Sequence, residues 1–251
     1  MVIIKTEEEI NKMKQAGAIT AIALQEACRC VAPGVSTADI DAVFRKSVKE
    51  HGAKPSFLNL YGFPGAACIS VNNEVIHGIP SKKRILKEGD IVSIDAGAFY
   101  EGFHGDSART VAVGKISDEA AKLIRVTEEC FFKGFEKAVI GNRIGDIGAA
   151  VEAHAKENGF QVVRDFIGHG IGRSVHEDPE VPNYGVAGRG LRLCKGMTLA
   201  IEPMINEGTF KVLSQPDGWT ILTADGKLSA HYENTIAITE DGPIILTKVP
   251  D

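Results

Sequence analysis

The sequence predicts an α/β (α+β) protein in which an αα-then-β unit occurs twice, a reading that rests on three observations. Two pairs of helical segments each precede strand-like runs. The second pair repeats the first at a fixed offset. And Asp95 stands in the middle of an apolar run, "GDIVSIDAG", that otherwise reads as a buried strand.

Taken in order, the first helix opens at "TEEEI", where Thr6 and Glu9 have the spacing of a capping box and Ile10, Met13, Gly17, Leu24 and Cys28 follow at helical spacing. "PGVSTADIDAVFRKSVKEHG" gives a second helix with Ile40, Phe44 and Val48 on one face and Gly52 as its stop. From about Ala66 to Val113, short β-branched runs are broken by Gly, Pro and Asn, the pattern of strands and turns. After Ile116 the order repeats, with helices over roughly 118–137 and 145–158 and then strands to the end.

An offset of 107 lays residues 34–52 on 141–159 with seven identities in nineteen positions, at Gly34, Asp39, Ile40, Ala42, Lys49, Glu50 and Gly52. Ordinary residue usage would give about one. The same offset carries Asp95 to Glu202, and an offset of 127 lays "HGDSART" on "HYENTIA", carrying Asp106 to Glu233. The chain thus reads as one domain, 1–251, of two related halves, about 1–115 and 116–251, each supplying two carboxylates.

Composition narrows the function. A net charge of −5 and a pI near 5.8 argue against a protein that binds nucleic acid through bulk electrostatics. Five cysteines without CxxC spacing fit a reducing compartment better than a disulfide framework or a zinc finger. The start "MVIIKTEEEI" turns charged after four residues and no 18-residue apolar run follows, so the expectation is a cytoplasmic protein with neither signal peptide nor membrane span.

"IVSIDAGAFYEGFHGDSARTVAV" is a hairpin candidate around Tyr100, Glu101 and Gly102. With the turn centred between Tyr100 and Glu101, Asp95 faces Asp106 directly, their Cβ atoms about 4.5–5.5 Å apart, where like charges repel. A one-residue shift makes the pair diagonal. A lone half-buried Asp is usually solvated, but four carboxylates in two matched pairs make sense around divalent cations, which cancel the repulsion and replace the lost hydration. "VVRDFIGHGIGRSVHEDP" adds nitrogen: His169 follows an apolar strand among Gly168, Gly170 and Gly172. The run is no dinucleotide fingerprint, because the third glycine of GxGxxG falls on Arg173. His77 and His176, each followed by Pro three residues on, read as substrate-facing, and His51, His104, His154 and His231 as structural.

The ordered set "SVNNEVIHGIP", "DIVSIDAG", "FHGDSART", "GHGIGRSVHEDP", "LAIEPM" and "HYENT" resembles that of the type I methionine aminopeptidases of the short bacterial kind, over nearly the whole chain. The resemblance implies a pseudo-twofold pita-bread fold, a central antiparallel sheet flanked by helices. It implies two divalent metal ions, Co, Mn, Fe or Zn, held by Asp95, Asp106, His169, Glu202 and Glu233. Glu202 is then also the base that takes a proton from the attacking water, while His176 bonds the scissile carbonyl and His77 the peptide near the scissile nitrogen. The methionine pocket falls on Phe57, Leu60, Phe63, Cys68, Val175 and Trp219, where Leu60 and Val175 are smaller than the aromatic residues frequent in relatives. One monovalent cation falls on the carbonyls of Asn72, Glu74 and Ser229.

The implied activity is removal of the initiator methionine from nascent polypeptides whose second residue is small. The ribosome is a further candidate partner; a monomer is expected, with no membrane and no sequence-specific nucleic acid. Rival readings are a proline-specific peptidase of the same fold, a non-enzymatic binding protein of that fold, and a dinuclear phosphoesterase. The first usually carries an extra N-terminal domain, the second would have lost ligands, and the third would want more basic residues near its metals.

Overall fold

The computed structural model describes residues 1–250. Helices α1 (Glu7–Arg29) and α2 (Thr37–Glu50) precede β1 (Lys54–Pro55), β2 (Ala67–Val71), β3 (Glu74–Ile76) and a long hairpin of β4 (Ile91–Tyr100) and β5 (Phe103–Ala112). Helices α3 (Asp118–Phe135) and α4 (Ile144–Glu157) follow, then β6 (Gln161–Val162), β7 (Gly168–Gly170), β8 (Glu177–Val181), β9 (Thr198–Ile201) and β10 (Met204–Asn206). The chain closes with β11 (Val212–Ser214), β12 (Ile221–Thr223), β13 (Ser229–His231), β14 (Asn234–Thr239) and β15 (Gly242–Ile245).

Helix starts are set by side chains that satisfy the orphan amides of the first turn. Thr6 and Glu9 form a reciprocal capping box, with Glu9 N donating to Thr6 Oγ1 at 3.2 Å and Thr6 N to Glu9 Oε2 at 2.9 Å. Ser36 and Asp39 do the same for α2. At α4 only the acidic half remains: Arg143 N donates to Asp146 Oδ2 at 2.7 Å. Helices α2 and α4 begin and end 107 residues apart, and so do two isolated bridges, Ser36–Ile85 and Arg143–Arg192. Three pairs of left-handed glycines keep that spacing too: Gly34 and Gly141, Gly52 and Gly159, Gly89 and Gly196.

One sheet centres on β4, with β5 on one side and β2 and β1 on the other; a second runs β15-β14-β9-β7-β8, every pairing antiparallel. They meet where β5 touches the start of β14. Ala108 and Glu233 exchange backbone hydrogen bonds at 3.0 and 3.3 Å, and Thr235 Oγ1 accepts from Asp106 N at 2.9 Å while donating to Asp106 O at 3.0 Å. Helices α1 and α2 cover the first sheet through Ile19, Leu24, Ile40, Phe44 and Val48 against Ile69, Val92 and Ile94. Helices α3 and α4 pack over the second half through Leu123, Val126, Phe131 and Val151.

The hairpin register differs from the sequence expectation by one residue. Its turn centres on Glu101 and Gly102, with φ of 47° and 87°, the double positive φ of a type I′ turn. Asp95 therefore pairs with Ala108 and Asp106 with Gly97, so the two acids are diagonal neighbours on one face. Gly102 takes one left-handed position without a Cβ penalty, which the expected centre at bulky Tyr100 could not offer. His169 also lies inside a short strand, β7, rather than beyond one, and β1 extends the first sheet to residues before Ala66.

Helix α1 crosses β5 at two glycines. A Cβ on Gly17 would stand 2.3 Å from the carbonyl oxygen of Leu246, and one on Gly105 2.7 Å from Gly17 Cα. Both obstacles are backbone. Gly17→Ala is therefore expected to destabilise the protein by about 1–3 kcal/mol through overpacking, read as a fall in Tm of roughly 2–4 °C per kcal/mol at this size. An unchanged Tm would mean that the helix lifts off the sheet at no cost.

Candidate metal centre and cleft

Both sheets contribute to one cluster of acids. Asp95 lies in β4, Asp106 in β5 and His169 in β7. The β9–β14 ladder ends at Ile201 with Asn234, so Glu202 and Glu233 are the next residues outward. Donor atoms of Asp106, His169 and Glu233 lie within 4.8 Å of one another. His169 Nε2 is 3.4 Å from Glu202 Oε1 and 4.0 Å from Asp106 Oδ2. Asp95 lines the same cavity.

The tautomer of His169 follows from its other nitrogen. Nδ1 lies 2.9 Å from the Gly170 carbonyl, which can only accept, so Nδ1 carries the proton and Nε2 presents a lone pair. That lone pair faces carboxylate oxygens, acceptor against acceptor. Burial pushes Asp95, Glu202 and Glu233 well above the ordinary carboxylate range, reinforced by mutual repulsion with Asp106 and one another, and lifts Asp106 to about 7. Burial pushes His169 down to about 4, so it stays neutral at pH 7.

Asp95 Oδ1, Asp106 Oδ1 and Glu233 Oε1 are buried without a hydrogen-bond partner. Unpaired carboxylate oxygens around a bare imidazole nitrogen are donors that lack an acceptor of their lone pairs, and they fit a divalent cation of the Mn, Fe, Co or Zn type.

Over this floor opens a cleft of about 260 Å³. One wall is apolar: Phe57, Phe63, Cys68 and Val175 pack together, with Leu60, Ile79 and Trp219 against them, and Phe63 meets Trp219 edge-on at 5.1 Å. His77 and His176 line the cleft, and the His176 ring stands edge-on to His169 at 4.5 Å. Burial lowers both, His77 to about 4. All the expected site residues thus gather in one place. Asn72 and Ser229 also meet, Ser229 N donating to the Asn72 carbonyl at 2.9 Å, near Glu74 Oε2, which accepts from Val71 N.

Four neighbours escaped sequence reasoning. Tyr61, at a positive φ of 51°, stacks over His176 at 6.0 Å; Phe166 meets His77 edge-on at 5.8 Å; Ile79 joins the apolar wall. His231, read as structural, is 1% exposed with its unpartnered Nε2 3.9 Å from Glu202 Oε2. Its place two residues before Glu233 was the available signal. The other three histidines read as structural are hydrogen-bonded: His51 to Ser47 O, His104 to Ser56 Oγ and His154 to Glu129 Oε2, each at 2.8 Å. Among the described residues no helix is long and apolar enough to cross a membrane.

The sequence profile of metallopeptidase family M24 matches residues 11–240. The chain is 57% identical to the methionine aminopeptidase of Clostridium perfringens over 249 residues, covering 99% of this chain and 100% of that one. It is 48% identical to methionine aminopeptidase 1 of Bacillus subtilis, with the same coverage. The crystal structure of methionine aminopeptidase from Thermotoga maritima superposes with a TM-score of 0.97 at 47% identity, covering 99% of this chain and 100% of that one. The prolidase of Pyrococcus furiosus superposes at 0.79 and 27% identity, where this chain, 99% covered, spans 66% of that one. Sharing the pita-bread architecture of these enzymes and their sequence along almost its whole length, the chain belongs to the M24 metallopeptidases, hydrolases that depend on divalent metal ions.

Proposed function

We propose that the protein is a methionine aminopeptidase that removes the initiator methionine from nascent chains whose second residue is small. The observation that carries this reading is the bare Nε2 of His169 facing buried carboxylates at the floor of a cleft with one apolar wall. Asp95, Asp106, His169, Glu202 and Glu233 would hold two divalent ions. Metal so held supplies an acidified water and a Lewis acid for the scissile carbonyl.

The chain's own groups supply the rest. Glu202, pushed up by burial and beside His169, is placed to take a proton from water and return it to the leaving amine. His176, neutral at working pH, can donate an N–H to the carbonyl oxygen as negative charge develops there. His77, which lines the cleft, would bond the peptide near the scissile nitrogen. Phe57, Leu60, Phe63, Cys68, Val175 and Trp219 would take the methionine side chain. The free α-amine would bind on the Asp95 side, which limits cleavage to N-termini. Phe166, edge-on to His77, would limit how far that ring can yield to a large second residue.

The same reading makes the chain one catalytic unit of two related halves, about 1–115 and 116–251, supported by the 107-residue spacing of α2 and α4. It includes a monovalent cation at Asn72, Glu74 and Ser229, a monomeric state, cytoplasmic location and work close to the ribosome.

Release of free methionine from Met-Ala-Ser, abolished by chelator and restored by a divalent metal, is the direct test. Peptides starting Met-Ala or Met-Ser should be cut well, Met-Val more slowly and Met-Leu hardly at all. Efficient Met-Leu cleavage would refute the steric account, and a requirement for proline in second place would move the chain to the prolidase-like reading.

Glu202→Gln should lower kcat by about 10²–10⁴-fold, the usual scale of general acid–base catalysis, with a much smaller change in substrate binding. His176→Ala should cost about 2.7–4 kcal/mol in the barrier if it removes one oxyanion donor. Near wild-type kcat in either variant would remove that residue from its role.

Asp106, lifted to about 7, is partly protonated near pH 7 when no cation is bound, Asp95, Glu202 and Glu233 are raised in the same direction, and protons so held must be lost for the carboxylates to ligate. Metal uptake at pH 7 is therefore expected to release protons, seen by calorimetry in buffers of different ionisation enthalpy. Heats independent of the buffer would contradict the protonated cluster.

A further inference from the structure

We infer that the N-terminal arm positions the loop 172–176, and with it His176 and Val175, through a buried ion pair between Lys5 and Glu177; this rests on the aminopeptidase reading for its effect on catalysis. Lys5 Nζ lies 2.5 Å from Glu177 Oε2, and the two side chains are only 2% and 6% exposed. Buried charges of this kind are costly unless every partner is in place. Here they are. The other Glu177 oxygen, Oε1, accepts from Arg173 N at 2.8 Å and Ser174 N at 3.1 Å, so one carboxylate ties the loop's backbone to the arm. Lys5 is itself fixed: its amide donates to the Gly196 carbonyl at 2.8 Å, just before β9, and its ammonium also donates to Ile3 O at 3.1 Å.

Two glycines leave the space that this crossing needs. A Cβ on Gly172 would stand 2.4 Å from Lys5 Cε and 2.9 Å from Glu177 Oε1, and one on Gly196 would stand 2.6 Å from Ile4 Cγ2 and 2.7 Å from Lys5 O. The outer side of the loop is held from α1, where Glu9 Oε1 accepts from Arg173 Nη2 at 3.0 Å and the Arg173 guanidinium lies over the Phe103 ring. The end of the loop next to Glu177 carries the His176 ring against His169 and Val175 into the apolar wall. Lys5, Arg173 and Glu9 line neither the cleft that holds the acids nor its outer mouth, and Glu177 reaches only that mouth, beside His176 and Glu202, with both its oxygens turned to Lys5 and the loop amides. Lys5 and Glu177 are thus positioning residues that act through His176.

The test is the double variant K5M/E177Q, which neutralises both charges together and leaves neither buried alone, while the side-chain amide oxygen introduced by E177Q can still accept from the loop amides. It is compared with wild type, with His176→Ala and with the triple variant in methionine release from Met-Ala-Ser. A displacement of about 1 Å at a catalytic group can cost about 10²-fold, so kcat should fall by about 10- to 100-fold with KM changed far less. On the His176→Ala background the same pair of substitutions should cost almost nothing more, because residues acting through one group are not additive. Hydrogen exchange at the amides of Arg173 and Ser174 should quicken, a readout that needs no activity, while Tm and metal stoichiometry stay near wild type. Arg173→Ala, at the surface, is a second and milder probe expected to move kcat in the same direction. Unchanged kcat, unchanged exchange, or a loss that multiplies with that of His176→Ala overturns the inference. A wild-type protein that releases no methionine would instead overturn the aminopeptidase reading, with the exchange result standing apart.

Discussion

The reciprocal contact between β5 and the start of β14 is the constraint on which the rest of the molecule turns. Thr235 takes and gives hydrogen bonds at the backbone of Asp106, while Ala108 takes and gives them at the backbone of Glu233. Each acid is thus anchored by the opposite sheet, two positions from its counterpart's anchor. Arg109 reinforces the join from the rear: its Nη1 donates to Glu233 O at 2.6 Å and its Nη2 to Asn234 Oδ1 at 2.8 Å. A shift of either sheet would separate Asp106 from Glu233, so the fold and the acid cluster stand or fall together.

What the cluster demands is clear from magnitudes. Two carboxylates about 4–5 Å apart at an effective dielectric near 20 repel by about 3–4 kcal/mol. Several such pairs would consume a large part of the about 5–15 kcal/mol by which a domain is stable. The protein can hold these groups either protonated, as their raised pKa values describe, or neutralised by cations. His169 fits the second: its Nε2 carries no proton and faces oxygen, and a divalent ion accepts the lone pairs of the nitrogen and the oxygens together.

Above the acids, selectivity divides between two kinds of wall. Phe57, Phe63, Cys68 and Val175 present apolar surface, whose affinity rises gradually with the area a ligand covers. Near His77 and Phe166 the proposed limit on the second residue would act by overlap, which is steep because packed groups yield little. The two walls belong to different loops, and the loop with Val175 and His176 is the one tied to the N-terminal arm. Stiffness where the carbonyl would be held is thus obtained from the arm that precedes α1, which Lys5 ties to Gly196 and Glu177.

Much of this was legible in the sequence because it is written in local patterns. Thr6 with Glu9 announces α1; Ile40, Phe44 and Val48 announce α2; the helices of the second half end within two residues of where periodicity puts them. The 107-residue offset, and the correspondence of Asp95 with Glu202 and of Asp106 with Glu233, needed only the identities of residues. What sequence could not supply were quantities fixed by contacts between distant parts of the chain. The Asp95–Asp106 pair became diagonal because the turn took its left-handed positions at Glu101 and Gly102, and a one-residue change in a hairpin alters every cross-strand partner. Tyr61 joined the cleft, and Phe166 and His231 came up against His77 and Glu202, only through packing, carrying no motif of their own. Lys5 and Glu177, 172 positions apart, belong to no motif that links them, and only the crossing of the arm at Gly172 and Gly196 buries them together. By itself, then, the sequence determined the elements and the chemical types at the site, since caps, periodicity and residue identity act within a few residues. Only the tertiary structure decided register, convergence and bracing, because those depend on which backbones can approach closely enough to touch.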